Sequence, residues 1–488
     1  MNSVLFAVSA AWSIRILANL VSYVHLWYVK EYRFDRMVIH LRTPQGRRIF
    51  FPAFHFPRIS PKTVVLTATG AVVLFLLFMI VQAHIFLRFL IIDLLTFPVT
   101  GILVGLFHIP TFVYHRLLIG RATQLLRHHK QMTVIGITGS FGKTSTKEFL
   151  ATILSRNYTV LKTEASKNSP IAIAETVLKH LTPDTQVFIV EMGAYKRGEI
   201  RAMADMVQPT IGIVTAINAQ HQDLFGSLDA TMAAKYELIQ GLGGGKIGIF
   251  NADNAFTRHM GERAKREGYA VWWYTTLMEQ ERGMDTFEAH DIEVNEASIT
   301  ANITYKKQTL RLNAHVLGAH QVGNILAAIA GSVAAGMEFA EAVRAASRIQ
   351  SFPKIMEPVK GTHGAIFIND TFNNNPDAAQ AAIDFLAKTK GRKILVFQPM
   401  IELGAYAAES HRTVGREAAR VCDDVLLTNE NFYEHFLSGA REVSAEYKVR
   451  VVSSRPAASY IRETVKKGDT VLFKGKEAER VLTLCLNK

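Results

Sequence analysis

The sequence predicts an α/β protein carried on N-terminal transmembrane helices. Three observations point there. Long apolar stretches crowd the chain before Tyr114, and from Met132 short β-branched runs alternate with helical patterns. The first of those runs, Thr133–Ile137, leads through a glycine turn straight into a helix.

The chain has 488 residues, room for about three domains. Hydrophobic residues make up 49% of it, the excess lying near the N-terminus, and the formal net charge is +13. The basic residues cluster beside apolar spans rather than in an aromatic-interleaved stripe, so no nucleic-acid partner is expected. Cys422 and Cys485 stand far apart without metal spacing, which fits a reducing compartment and no disulfide framework.

Val4–Tyr28 is apolar apart from Arg15 and exceeds the ~20 residues a helix needs to cross a bilayer. It lacks the basic start and small-residue cleavage site of a signal peptide. Mid-span Arg15 leaves an interfacial helix as the alternative, because a charge there costs about 2.5 kcal/mol or more. Lys30–Lys62 holds eight Lys or Arg against Glu31 and Asp35, a bias that keeps a short loop in the cytoplasm. It reads as a solvated connector or as a surface for anionic lipid head groups. Phe50, Phe51, Phe54 and Phe56 would touch the interface.

Thr63–Ala83 carries no charge and is the clearest span. A third runs from about Leu90 to Tyr114, its ends blurred by Pro98 and Pro110. Arg116, Arg121, Arg127 and Lys130 follow on a basic amphipathic helix. Three spans with the loop inside place the remaining chain on the cytoplasmic face of the inner membrane.

Strand-like runs follow at Val134–Ile137, Thr159–Leu161, Val187–Glu191, Ile211–Thr215 and Ile247–Phe250, with helical patterns near Lys143–Ser155, Ala172–His180 and Leu228–Gln240. That rhythm predicts a mostly parallel sheet with ligands at the carboxyl ends of its strands. Ser298–Val316 alternates as a hairpin would, at an antiparallel edge. Gln321–Ala335 reads as an Ala-rich helix. A second α/β unit has strands near Ala365–Ile368, Lys393–Phe397, Asp424–Leu427, Val449–Val452 and Thr470–Phe473. The expected division is 1–130, 131–350 and 351–488.

The turn Gly139-Ser140-Phe141-Gly142-Lys143-Thr144-Ser145-Thr146 sits between strand and helix, a geometry that aims backbone N–H groups and a helix N-terminus at one point. Such a point binds phosphate. Lys143 adds charge at the outer phosphates and Thr144 a hydroxyl ligand for Mg²⁺. Glu191, ending an apolar strand, is placed to hold the metal. Alone, His221 would read as a loop histidine and Lys235 as a surface lysine.

Together these segments resemble the Mur ligase family, which includes the folylpolyglutamate synthetases. The likeness covers about residues 131–488. It is carried by the loop, by Asn218–Leu238, by Asn251-Ala252-Asp253 and by Gly318-Ala-His320-Gln-Val-Gly-Asn324. Asn369-Asp370-Thr-Phe-Asn373, Met400-Ile-Glu402-Leu403-Gly404 with His411, and Lys474-Gly475 resemble the D-alanyl-D-alanine-adding branch. The resemblance implies a phosphate-loop central domain and a Rossmann-like C-terminal domain. It implies ATP and two Mg²⁺ ions, with Gly139, Ser140, Gly142, Lys143, Thr144 and Ser145 at the phosphates. Glu191, His221 and a carbamylated Lys235 would serve the metals, Asn324 the adenine end, Asp370 the ribose, and Asn251 and Asn373 the nucleotide site.

Departures accompany the likeness. The family arginine before the second unit's first strand is replaced around Lys354–Glu357, the glycine-aspartate before Met400 is Gln398-Pro399, and the asparagine-rich loop is partly kept as Ser166-Lys167-Asn168-Ser169. Three apolar spans stand where the family has a soluble uridine-nucleotide-binding domain. The expected activity is a membrane-anchored, ATP-dependent amide ligase acting through an acylphosphate. Its acceptor would be a cell-wall peptide or a lipid-linked precursor, and its amine donor D-alanyl-D-alanine or similar. The rival is a nucleotide-gated membrane scaffold or ATPase without ligase chemistry.

Overall fold

A computed structural model describes the chain except residues 1, 31, 42–45, 47–48, 53, 165–166, 219–224, 244–245, 278–284, 296–297 and 488. The chain divides into two compact units, Met1–Leu117 and Leu118–Lys488.

In the first unit, helices α1 (Asn2–Val29), α2 (Phe34–Leu41), α3 (Pro61–Ile80) and the start of α4 (Ile85–His128) surround a core that includes Leu20, Trp27, Leu66 and Leu103. Among the described residues, α1, α3 and α4 are long and apolar enough to cross a membrane. α3 begins at Pro61, where Ser60 and Thr63 form a capping box. Gly70 lets α3 approach α1, since a Cβ there would lie 2.8 Å from a Leu20 methyl. Arg15 is not a stray charge. Its Nε donates to Asp93 Oδ2 at 2.7 Å and Asn19 donates to Oδ1 at 2.8 Å, so the pair is hydrogen-bonded between α1 and α4.

One sequence expectation changes here. The basic segment after Tyr114 is not a separate helix, because α4 continues through Pro98 and Pro110 to His128. Each proline removes one ladder bond, a loss that apolar helices accommodate through neighbouring hydroxyls and local adjustment. Thr100 and Thr111 turn their hydroxyls back onto the Phe97 and Phe107 carbonyls beside those prolines.

The second unit holds two sheets. Among the described residues the larger runs β2-β3-β1-β4-β5-β6-β7-β8-β9. Its parallel part comprises β1 (Thr133–Thr138), β2 (Val160–Lys162), β3 (Val187–Glu191), β4 (Ile211–Val214), β5 (Ile247–Asn251), β6 (Ala270–Thr275) and β7 (Thr286–Val294). β8 (Ile299–Tyr305) and β9 (Gln308–Ala314) add the expected antiparallel edge. Parallel strands buried on both faces need near-continuous apolar sequence, as β1, β3 and β4 have. β6 and β7 escape an alternation reading because Trp272, Trp273 and Tyr274 run together while β7 is mixed.

The smaller sheet runs β10-β11-β15-β12-β13-β14. Its strands are β10 (Glu357–Lys360), β11 (Ile366–Asp370), β12 (Lys393–Phe397), β13 (Asp424–Leu427), β14 (Val449–Val451) and β15 (Thr470–Lys474). β10 is antiparallel and was not legible, since it contains Pro358. Proline is tolerated on such an edge.

Candidate functional site

β1 ends at Thr138 and the helix α5 (Lys143–Leu154) begins after Gly142, whose φ of +84° is a left-handed turn suited to glycine. Between them the chain is pinned to the neighbouring strand end: Ser140 N–H donates to Ala216 O at 2.6 Å, and Thr215 Oγ1 donates to Phe141 O at 2.5 Å. A Cβ on Gly139 would stand 2.0 Å from Thr215 Oγ1. The turn is thus a backbone cradle at a helix N-terminus, the expected form for phosphate.

Parallel pairing brings the second element in. Ile137 registers against Glu191, so the glutamate emerges beside the cradle at the carboxyl end of β3. Glu191 is buried. Its Oε2 accepts Thr144 Oγ1 at 3.0 Å and lies 3.3 Å from Lys147 Nζ, and its Oε1 accepts from Asn168 at 3.3 Å. Thr163 Oγ1 accepts the Glu191 N–H at 3.0 Å.

Lys143 Nζ donates to Gly139 O at 2.7 Å and to Ser140 O at 3.2 Å. Lys235, buried on the helix Leu228–Gln240, donates to the same Gly139 carbonyl at 2.9 Å. Burial, with Lys143 adding repulsion, pushes the Lys235 amine well below the usual lysine range. Burial also lowers Lys143, opposed by the Glu191 charge.

Asn324 packs against the cradle. Its Oδ1 would lie 2.5 Å from a Cβ on Gly142, and it accepts from Thr146 Oγ1 at 3.5 Å. Asn251 shapes its own turn, its Oδ1 accepting Asp253 N–H at 3.0 Å. Ser145 is buried on α5. His221 lies outside the described residues.

Asp370 and Asn373 belong to the carboxyl edge of the smaller sheet. Asp370 accepts Lys474 Nζ at 2.6 Å in a buried ion pair and Met356 N–H at 3.3 Å. Asn373 is exposed and accepts the N–H of Asn374. Lys354 is spent on Glu479 at 2.7 Å. Asn218 ties the two edges: its N–H donates to Ser140 Oγ at 3.1 Å and its amide to Asp377 at 2.7 Å.

Two family models match in order, the Mur ligase middle domain over residues 137–331 and the Mur ligase glutamate ligase domain over 356–477. The chain is 30% identical over 363 residues to a Synechocystis protein named UDP-N-acetylmuramoyl-tripeptide--D-alanyl-D-alanine ligase, covering 72% of this chain and 73% of the relative. The chain belongs to the Mur ligase family. A protein of the same name from Escherichia coli K12 is 29% identical over 333 residues, 68% of this chain and 72% of that one. Among solved structures, MurF from Acinetobacter baumannii superposes with a TM-score of 0.68 at 26% identity, over 76% of this chain and 79% of that chain. MurF from Thermotoga maritima, solved with ADP, matches in fold with a TM-score of 0.66 at 23% identity, over 76% and 83%. As a Mur ligase, the chain is an ATP-dependent ligase forming a carbon–nitrogen bond.

The donors fit what a Mur ligase asks of them. Mg²⁺ is typically held by one or two carboxylates plus substrate phosphates, and Glu191 beside the Thr144 hydroxyl is of the kind that would hold it. Among the described residues no three of His, Cys, Asp and Glu cluster as a metal cage. Sequence reasoning passed over Lys147 and Thr215. A lysine four residues after Lys143 reads as solvent-facing, and Thr215 as the tail of a strand. Only the helix's embedding and the β4 strand end reveal them.

Proposed function

We propose that this Mur ligase is a membrane-anchored enzyme joining D-alanyl-D-alanine, or a similar amine, to the carboxylate of a cell-wall precursor peptide. The observation that carries the chemistry is the convergence of Lys143, Thr144, Glu191 and Lys235 on the glycine cradle. The activity for which the relatives are named supports the substrates. Helices α1, α3 and α4 support the anchor, with the ligase unit on the cytoplasmic side of the inner membrane. The anchor favours an acceptor that is itself membrane-held, such as a lipid-linked precursor. We retain the division 1–130, 131–350 and 351–488.

In this reading an acceptor carboxylate oxygen attacks the γ-phosphorus of ATP as the bond to the bridging oxygen breaks and ADP leaves. The amine nitrogen then attacks the acyl carbon, loses a proton and expels inorganic phosphate. Direct condensation is uphill in water, so the carboxyl oxygen must first become a leaving group. Phosphoryl transfer asks the protein for positioning and charge neutralisation, which Lys143 and the cradle N–H groups would give. Bound Mg²⁺ would add Lewis-acid neutralisation at the phosphates, held through Thr144 and Glu191. A carbamate on Lys235, with His221, would hold a second ion. Asn324, Asp370, Asn251 and Asn373 would frame the nucleoside, Asp370 only after sharing or releasing Lys474.

The test uses the full chain in detergent. Phosphate should leave ATP only when a carboxylate acceptor and an amine are both present, and mass spectrometry should find the amide. Acceptor-indifferent phosphate release would refute the ligase reading and leave a scaffold ATPase.

A further inference from the structure

Lys147 is the least expected side chain beneath the cradle. It lies on α5, is fully buried, and its ammonium stands 3.3 Å from Glu191 Oε2 and 3.3 Å from Glu148 Oε1. It makes no hydrogen bond among the described residues. Glu148 is paired in turn with Lys162. The row Glu191, Lys147, Glu148, Lys162 is therefore neutral on its own.

Two consequences follow from charge alone. A buried carboxylate without a cation is costly, and Lys147 relieves that cost for Glu191. With that row neutral, Lys143, close enough for the Glu191 charge to act on it, leaves the surroundings of Glu191 net positive and repels a free divalent cation. Thr144 and Lys147 already occupy Oε2 and Asn168 approaches Oε1, so the carboxylate offers little unclaimed charge. A metal bound to a nucleoside polyphosphate arrives with excess negative charge and meets no such barrier.

We propose that Lys147 is the resident counter-cation of Glu191, so that the site refuses a free divalent cation and accepts it only together with nucleotide. Lys147 is a positioning residue, since it touches the carboxylate and not the reacting atoms. The proposal rests on Glu191 being a metal ligand, and the test separates the two.

Free Mn²⁺ would be titrated by electron paramagnetic resonance against the full chain in detergent, with and without saturating ADP. The wild-type chain should bind Mn²⁺ weakly alone and strongly with ADP. Lys147→Met should tighten nucleotide-free Mn²⁺ binding by at least ~10-fold. It should change binding with ADP far less, and its melting temperature should rise on adding Mn²⁺ more than the wild type's. Lys147→Arg should behave as wild type, and Glu191→Gln should erase the gain when combined with Lys147→Met. Unchanged or weaker nucleotide-free binding in folded Lys147→Met would overturn the proposal, as would a gain that survives Glu191→Gln. Equal binding with ADP by wild type and Glu191→Gln would instead remove Glu191 as a ligand, and the proposal with it. Should Lys147→Met not fold, Lys147→Gln takes its place. Recovery of folding on adding Mn²⁺ supports the proposal, and failure of both variants to recover counts against it.

Discussion

Lys143 and Lys235 donate to one carbonyl oxygen, that of Gly139, at 2.7 and 2.9 Å. Burial first, and the repulsion between two ammonium groups so placed second, hold the Lys235 amine well below its ordinary range. A lysine that gives up its proton easily is a nucleophile for carbon dioxide. Lys235→Ala should lower ligase turnover by about 10²-fold or more, with partial recovery on adding a short-chain carboxylic acid. Lys143→Ala should lose at least as much, with no recovery by the acid. Steady-state phosphate release with and without the acid reads both.

Gly142 combines a φ of +84° with an Asn324 oxygen 2.5 Å from where a Cβ would sit. Gly142→Ala should cost about 1–3 kcal/mol of stability and weaken ATP binding. Chemical denaturation and nucleotide titration of the same sample would show whether both fall together.

The buried pair of Asp370 and Lys474 should be asymmetric to mutation. Lys474→Met leaves a buried carboxylate and should cost about 3–5 kcal/mol, whereas Asp370→Leu with Lys474→Met should cost clearly less than the two single changes summed. Urea midpoints of the four chains in a double-mutant cycle decide this.

Arg15 and Asp93 pose the same question in the apolar unit. Asp93→Leu strands Arg15 and should lower thermal stability in detergent, by roughly 1–3 kcal/mol. Adding Arg15→Leu should restore much of it. If the single and double variants melt alike, the pair contributes no coupling.

His320 carries a pH signature. Burial, with Lys474 adding to it and Asp370 opposing, depresses its imidazole to about 4. The folded state therefore binds the proton less readily than the unfolded chain, whose histidine titrates near 6.5. Its contribution is present in full above that value and is lost as pH falls from about 6.5 to about 4, on the order of 3 kcal/mol. His320→Gln should flatten this acid limb in denaturation measured between pH 7 and pH 4.

The parallel strands were legible because burial on both faces leaves an apolar run, as in β1 and β3, and the cradle because glycine spacing is dictated by backbone conformation. What stayed hidden depends on distant pairing. Arg15 reads as a defect in a span until Asp93 is placed beside it. Lys147 stands out only once α5 is seen sandwiched, and Asp370, expected at the ribose, is found paired with Lys474. The basic run after Tyr114 looked separate because prolines break helices in water, and α4 accommodates two.

Asn218 reaches in two directions, to Ser140 in the cradle and to Asp377 beyond the second sheet. Any movement of Ser140 on loading must then alter how firmly the far lobe is fastened. By thermodynamic reciprocity, prying that lobe away must loosen the grip on the nucleotide by an equal factor. A single asparagine would thus make grip and closure one equilibrium rather than two.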